Sequence, residues 1–115
     1  MLQEAREAGI TVLLATEIPR GEPTGWIDQA VALLGRLRGK QSYSERINAH
    51  VRELNEFVRG LAAREGLRLL DFDRVLAPDG GARAPEFTQD DLSHVTAAGY
   101  AALTAYATRE LQTAR

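Results

Sequence analysis

Twice in this chain a helix-forming run ends at a glycine and is followed at once by a short apolar segment. Leu2-Gln3-Glu4-Ala5-Arg6-Glu7-Ala8 stops at Gly9 and leads into Ile10-Thr11-Val12-Leu13-Leu14-Ala15-Thr16. Leu61-Ala62-Ala63-Arg64-Glu65 stops at Gly66 and leads into Leu67-Arg68-Leu69-Leu70-Asp71-Phe72. Glycine at a helix end takes the left-handed cap that other residues resist. A run such as 10–16, apolar on both faces and rich in β-branched residues, suits a strand buried in a parallel sheet. Parallel strands need a long crossover, so the repeated order predicts an α/β layer fold with a right-handed connection. Residues 10–16 and 67–72 are expected as adjacent parallel strands, bridged by a helix over about 45–65.

The segment between them holds two helical patterns. Trp26, Ala30, Val31, Leu33, Leu34 and Leu37 fall at helical spacing over 26–38, after a loop marked by Pro19, Gly21, Pro23 and Gly25. Ile47, Val51, Leu54, Val58 and Leu61 then recur at intervals of four and three, an apolar stripe over four turns. Ser44 stands at the expected N-cap, with Ile47 three residues on, so no capping box is expected there. Both stripes are assigned to the core. After Phe72 a polar stretch with Gly and Pro, Asp73 to His94, reads as a long loop, with Asp79-Gly80-Gly81 as a turn. A last helix starts after Thr96 as N-cap and would bury Tyr100, Leu103, Ala107 and Leu111.

At 115 residues the chain is read as one domain over 1–115, long enough to bury roughly two thirds of its unfolded surface around a core. It has no cysteine, which excludes disulfides, thiolate metal sites and a cysteine nucleophile. No apolar run approaches the roughly 20 residues of a membrane span. A net charge of -2 offers no general attraction to nucleic acid or an anionic membrane. The charged start Met1–Glu7 is not a secretory signal. The compartment stays open: cytoplasmic by default, secreted if a preceding segment carries a signal.

The segment that can carry chemistry is Asp90-Asp91-Leu92-Ser93-His94-Val95-Thr96-Ala97-Ala98-Gly99-Tyr100. It follows a strand and a loop and opens the last helix, and loops at the carboxyl ends of parallel strands line the ligand crevice of α/β sheets. Asp91 and His94 are three apart in a turn. That spacing lets the carboxylate reach one imidazole nitrogen, fix the tautomer and balance the imidazolium, while the other nitrogen takes a proton from a nucleophile.

This block resembles the last conserved block of the SGNH (GDSL-type) hydrolases. The upstream order agrees over essentially the whole chain: the 10–16 strand, the loop at Ile18-Pro19, a helix from near Asn48, a strand ending at Leu70-Asp71, and then the Asp-x-x-His turn. The resemblance implies a flavodoxin-like three-layer α/β/α fold, of which this chain holds the last two parallel strands and their helices. It implies hydrolysis of a small carboxylic ester, thioester or acetyl ester without a cofactor or metal. His94 would be the general base and Asp91 its partner. Two departures stand out. Val95 follows the histidine where the family commonly has Pro. The Gly-Asp-Ser block with its nucleophile, and the Gly and Asn of the oxyanion hole, do not occur here. Ser42, Ser44 and Ser93 lack that context, so the serine is expected from outside the chain. The expected partner is an N-terminal half of the same enzyme, or a second copy meeting it at the exposed strand edge. The competing reading is a non-catalytic remnant or interaction module.

Other groups were weighed. Leu69 to Leu76 looks like the opening Asp-x-Asp motif of the haloacid-dehalogenase-like phosphatases. Arg74 replaces the usual Gly, however, and only 44 residues follow Asp71 (115 minus 71), so Asp71 and Asp73 are read as solvated carboxylates at a strand end. Asp90 and Asp91, with Glu86 nearby, are oxygen donors of the kind Mg²⁺ or Ca²⁺ takes, with no further ligand spacing in support. His50 is read as a surface or boundary residue, and Arg36-x-Arg38-x-Lys40 as a solvated loop.

Overall fold

The computed structural model describes residues 1–113. In chain order the elements are α1 (Leu2–Glu7), β1 (Leu13–Ala15), α2 (Trp26–Leu37), α3 (Tyr43–Glu65), β2 (Arg68–Leu70), α4 (Phe72–Leu76), a 3₁₀ turn (Pro85–Phe87) and α5 (Ala97–Gln112). β1 and β2 pair in parallel, with Leu13 opposite Arg68, Leu14 opposite Leu69 and Ala15 opposite Leu70. The strands are shorter than the apolar runs suggest. The pairing continues for one residue as the Thr16 N–H donates to the Leu70 carbonyl at 3.0 Å.

The 23-residue α3 carries the crossover. Its N-cap is Ser42, not Ser44. The Ser42 hydroxyl accepts the Glu45 N–H at 3.1 Å, and the Glu45 carboxylate accepts the Ser42 N–H at 2.7 Å, a complete capping box. Ser44 is buried in the first turn. Gly66 closes the helix at φ +63°, where a Cβ would be strained.

The buried face of α3 is Ser44, Asn48, Asn55 and Ala62. It is turned by about one residue from the apolar stripe, leaving Leu54 exposed and Ile47, Val51, Val58 and Leu61 half-buried. Two carboxamides decide this orientation. The Glu17 N–H donates to Asn55 Oδ1 at 2.7 Å, and Asn55 Nδ2 returns a bond to the Glu17 carbonyl at 2.8 Å. Asn48 does the same for Arg20, at 2.7 and 3.0 Å. The loop after β1 has no ladder partner there, so buried side chains satisfy its backbone instead.

Arg59, one turn beyond Asn55, grips the end of β2. It donates to both carboxylate oxygens of Asp71, at 2.9 and 2.8 Å, and to Asp73 at 2.7 Å. Asp71 also accepts from the Thr16 hydroxyl at 3.2 Å and N-caps α4. These carboxylates are therefore ion-paired structural groups rather than solvated ones.

Three further expectations are corrected. The stretch after Phe72 is not all loop: α4 packs on α5, and its Leu76 is the most deeply buried apolar side chain. The α5 stripe is rotated, with Tyr100 and Leu111 exposed, Gly99 buried, and Tyr106 edge-on to Phe72 at 6.1 Å. Finally, α2 buries nothing; Trp26 is 79% exposed and Leu37 76%. Among the described residues that stripe is left uncovered, so it is not core here.

The expected apolar core is correspondingly thin. Among the described residues Ala62, Leu76, Ala77 and Val95 make up the buried apolar core, against Thr16, Ser44, Asn48, Asn55, Asp71 and Arg83 among the polar ones. The radius of gyration is 16.9 Å, where a compact domain of this length has about 13 Å.

Asn55→Ala is expected to destabilise the chain by about 2 kcal/mol, because it removes a fully buried carboxamide and with it both hydrogen bonds to the Glu17 backbone. Ser42→Ala should cost about 1 kcal/mol through the lost cap. Urea unfolding followed by circular dichroism checks both, and equal losses would contradict the ranking.

Candidate active site

The Asp91–His94 turn lies between the 3₁₀ turn and α5, held shut on both sides. Thr88 and Val95 form an antiparallel bridge. Across the loop, the Gln89 N–H donates to the His94 carbonyl at 3.0 Å, the Leu92 N–H to the Gln89 carbonyl at 2.9 Å, and Gln89 Nε2 to the Val95 carbonyl at 2.9 Å. Leu92 takes φ +62°, the left-handed region. At the exit, the Thr96 hydroxyl caps α5 by accepting the Gly99 N–H at 3.2 Å. Gly99 is required by close approach, since a Cβ there would lie 2.4 Å from Val95 Cγ1.

Within the turn the two residues singled out by spacing meet. Asp91 Oδ2 contacts His94 Nδ1. Asp91 Oδ1 accepts both the Ser93 and His94 N–H groups, each at 2.9 Å. The carboxylate is thus oriented by the backbone of the turn that it serves. Accepting the His94 amide, the His94 ring and the Ser93 amide holds the Asp91 carboxyl well below the usual carboxylate range. An ionised carboxylate can only accept, so Nδ1 carries the proton and Nε2 keeps its lone pair while the ring is neutral. The ring is 72% exposed. Among the described residues, its only hydrogen-bonding side chain is Asp91.

Three donors outside the turn hold its carbonyls. The Gly21 N–H donates to Leu92 O at 3.0 Å, and Arg83 Nη2 donates to Leu92 O at 3.1 Å and Ser93 O at 2.7 Å. Arg20 Nη2 reaches Asp91 O at 3.4 Å. These residues and Asn48 were not legible as site residues, because each acts through backbone contacts distant in sequence. The proline and glycines at 19–25 marked only a loop.

The other candidates stay apart from this turn. His50 is exposed on α3, Ser42 caps that helix, and Arg36 bonds the Glu45 carboxylate. Among the described residues no group of three or more His, Asp or Glu side chains is placed to hold a metal ion. Among the described residues no helix is long and apolar enough to cross a membrane. An open cleft of about 480 Å³ flanks the turn at Asp90 and Leu92, and Glu22 and Asp28 line its far side.

Comparison with known proteins bears on the family and the fold. Residues 1–102 match the GDSL-like lipase/acylhydrolase family. Among solved structures, a protein of the G-D-S-L lipolytic family from Desulfitobacterium hafniense DCB-2 superposes with a TM-score of 0.64 at 18% identity, over 95% of this chain and 49% of that one. A GDSL-like lipase from Bacteroides thetaiotaomicron VPI-5482 gives 0.64 at 18% identity, over 98% of this chain and 48% of that one. The chain therefore spans about half the length of the solved structures it matches. No curated protein sequence matches it.

A carboxyl with a lower pKa folded than unfolded stabilises the fold above its unfolded value, and that contribution is lost as pH falls through the folded value. The Asp91 carboxyl carbon, followed by NMR, should therefore titrate at lower pH than Asp in an unstructured peptide. A midpoint equal to the peptide's would contradict the geometry in which three donors converge on the carboxylate.

Proposed function

The chain belongs to the GDSL-like lipase/acylhydrolase family, and on that premise we propose that it supplies the base and its orienting carboxylate to a serine ester hydrolase. The observation that carries the proposal is the Asp91–His94 pair, with one imidazole nitrogen bound to an ionised carboxylate and the other exposed to solvent.

In this reading a serine from outside the chain attacks an ester carbonyl while His94 Nε2 takes its proton. The resulting imidazolium is balanced by Asp91. As the tetrahedral intermediate collapses, Nε2 gives the proton to the leaving alkoxide and an acyl-enzyme forms. Water then attacks the acyl-enzyme, His94 takes its proton, and the serine leaves reprotonated with release of the acid. The donors that stabilise the oxyanion also come from outside. Ser42 and Ser44 serve the start of α3, and Ser93 uses its backbone to orient Asp91, so none is assigned as nucleophile.

The partner is an N-terminal half of the same enzyme or a second copy, meeting the chain at the free edge of β1. Two features support association. β1 pairs on one side only, leaving unpaired backbone groups. The apolar side chains of α2 also lie uncovered.

Purified alone, the chain should hydrolyse p-nitrophenyl acetate no faster than a histidine-containing control, and a serine-directed fluorophosphonate should not label it. Joined to a GDSL-bearing half, it should become active. His94→Ala should then cost on the order of 10³–10⁴ in kcat, and Asp91→Asn a comparable loss through the wrong tautomer. Labelling of the isolated chain would place a nucleophile within it. Full activity of His94→Ala in the completed protein would refute the assignment.

A further inference from the structure

Arg83 is 4% exposed, yet no carboxylate lies within ion-pair distance of it among the described residues. Buried arginines are rare without such a partner, because desolvating the guanidinium is costly. Among the described residues its Nε has no hydrogen-bond partner, and the acceptors its side chain uses are the carbonyls of Leu92 and Ser93, the two residues between Asp91 and His94.

The backbone of the arginine is itself anchored to the loop after β1. Its N–H donates to the Arg20 carbonyl at 3.0 Å, and Gly21 and Arg83 form a parallel bridge. The turn that it grips contains Leu92 at φ +62°, a conformation that a residue with a Cβ leaves readily unless its surroundings hold it. Both peptide units gripped by Arg83 sit inside the loop that points the Ser93 and His94 amides at Asp91.

We propose that Arg83 is a positioning residue: it holds the Leu92–Ser93 carbonyls so that the left-handed turn brings Asp91 onto the His94 ring. The assignment of this role in hydrolysis rests on the function proposed above; the geometry does not. Arg83 touches neither reacting atoms nor substrate. It acts through the backbone, as a brace for a strained loop, and two carbonyl oxygens accept from its guanidinium.

The test uses the full chain with Arg83→Lys, Arg83→Met and, as a control for lost stability alone, Ser42→Ala. NMR follows the Asp91 carboxyl carbon through its titration and the exchange of the Ser93 and His94 amides. Arg83→Met should raise the Asp91 midpoint toward the ordinary carboxylate range and speed exchange of both amides, with the α3 and α5 resonances preserved. Arg83→Lys keeps the charge but not the planar fork, so it should shift the midpoint part of the way. Ser42→Ala should leave the midpoint unchanged. If Arg83→Met does not fold, Arg83→Lys decides: a raised midpoint supports the proposal, and a wild-type midpoint overturns it. In the hydrolase completed with a GDSL-bearing half, Arg83→Lys should lower kcat roughly 10- to 100-fold with KM little changed. A wild-type midpoint in both variants, alongside a dead His94→Ala enzyme, defeats this inference alone. A raised midpoint alongside a fully active His94→Ala enzyme defeats the hydrolase reading instead.

Discussion

The paired carboxamides of Asn48 and Asn55 are what the rest of the structure depends on. A parallel pair such as β1–β2 leaves the chain running off the carboxyl end of each strand with its backbone unpaired. Asn55 satisfies both backbone groups of Glu17, and Asn48, two turns earlier on the same helix face, satisfies both of Arg20. The next residue, Gly21, then meets Leu92 and bridges to Arg83. The position of the Asp91–His94 turn is thereby referred back to α3, and through Arg59 and Asp71 to the end of β2. The helix that makes the crossover also sets the distance between the sheet and the candidate site.

This arrangement explains the polar interior. Along α3 the buried Asn48 and Asn55 bind the backbone of a loop and the half-buried Arg59 binds the carboxylates of a strand end, tasks that apolar side chains cannot perform. The apolar surface is displaced to the outside instead, onto α2, Leu54, Phe57 and the free edge of β1. A fold of this kind is well specified around its site and poorly sealed elsewhere. That is consistent with a chain spanning about half of the solved structures it resembles.

What could be read from the sequence was what depends on local chemistry. The glycine stops, the Thr96 cap and the Asp-x-x-His turn each need only a few neighbouring residues, and the parallel strands announce themselves through two short apolar runs. The buried face of α3 was misjudged by about one residue, because hydrophobicity marks apolar side chains while Asn48 and Asn55 are buried by hydrogen bonds. The Ser42–Glu45 capping box lies two residues before Ser44, the serine that the apolar stripe points to as the cap. α4 was hidden in a polar stretch whose burial comes from packing on α5. Arg83 could not be found at all, since its partners are carbonyls that carry no side-chain signature.

The central claim is that the chain holds a histidine with its proton on the carboxylate side and a free lone pair facing outward. ¹⁵N shifts of the His94 ring in the isolated chain, at a pH where the ring is neutral, report this directly. The account predicts the Nδ1–H tautomer for His94, with that preference lost in Asp91→Asn. A ring protonated at Nε2, or a tautomer indifferent to Asp91, would contradict it.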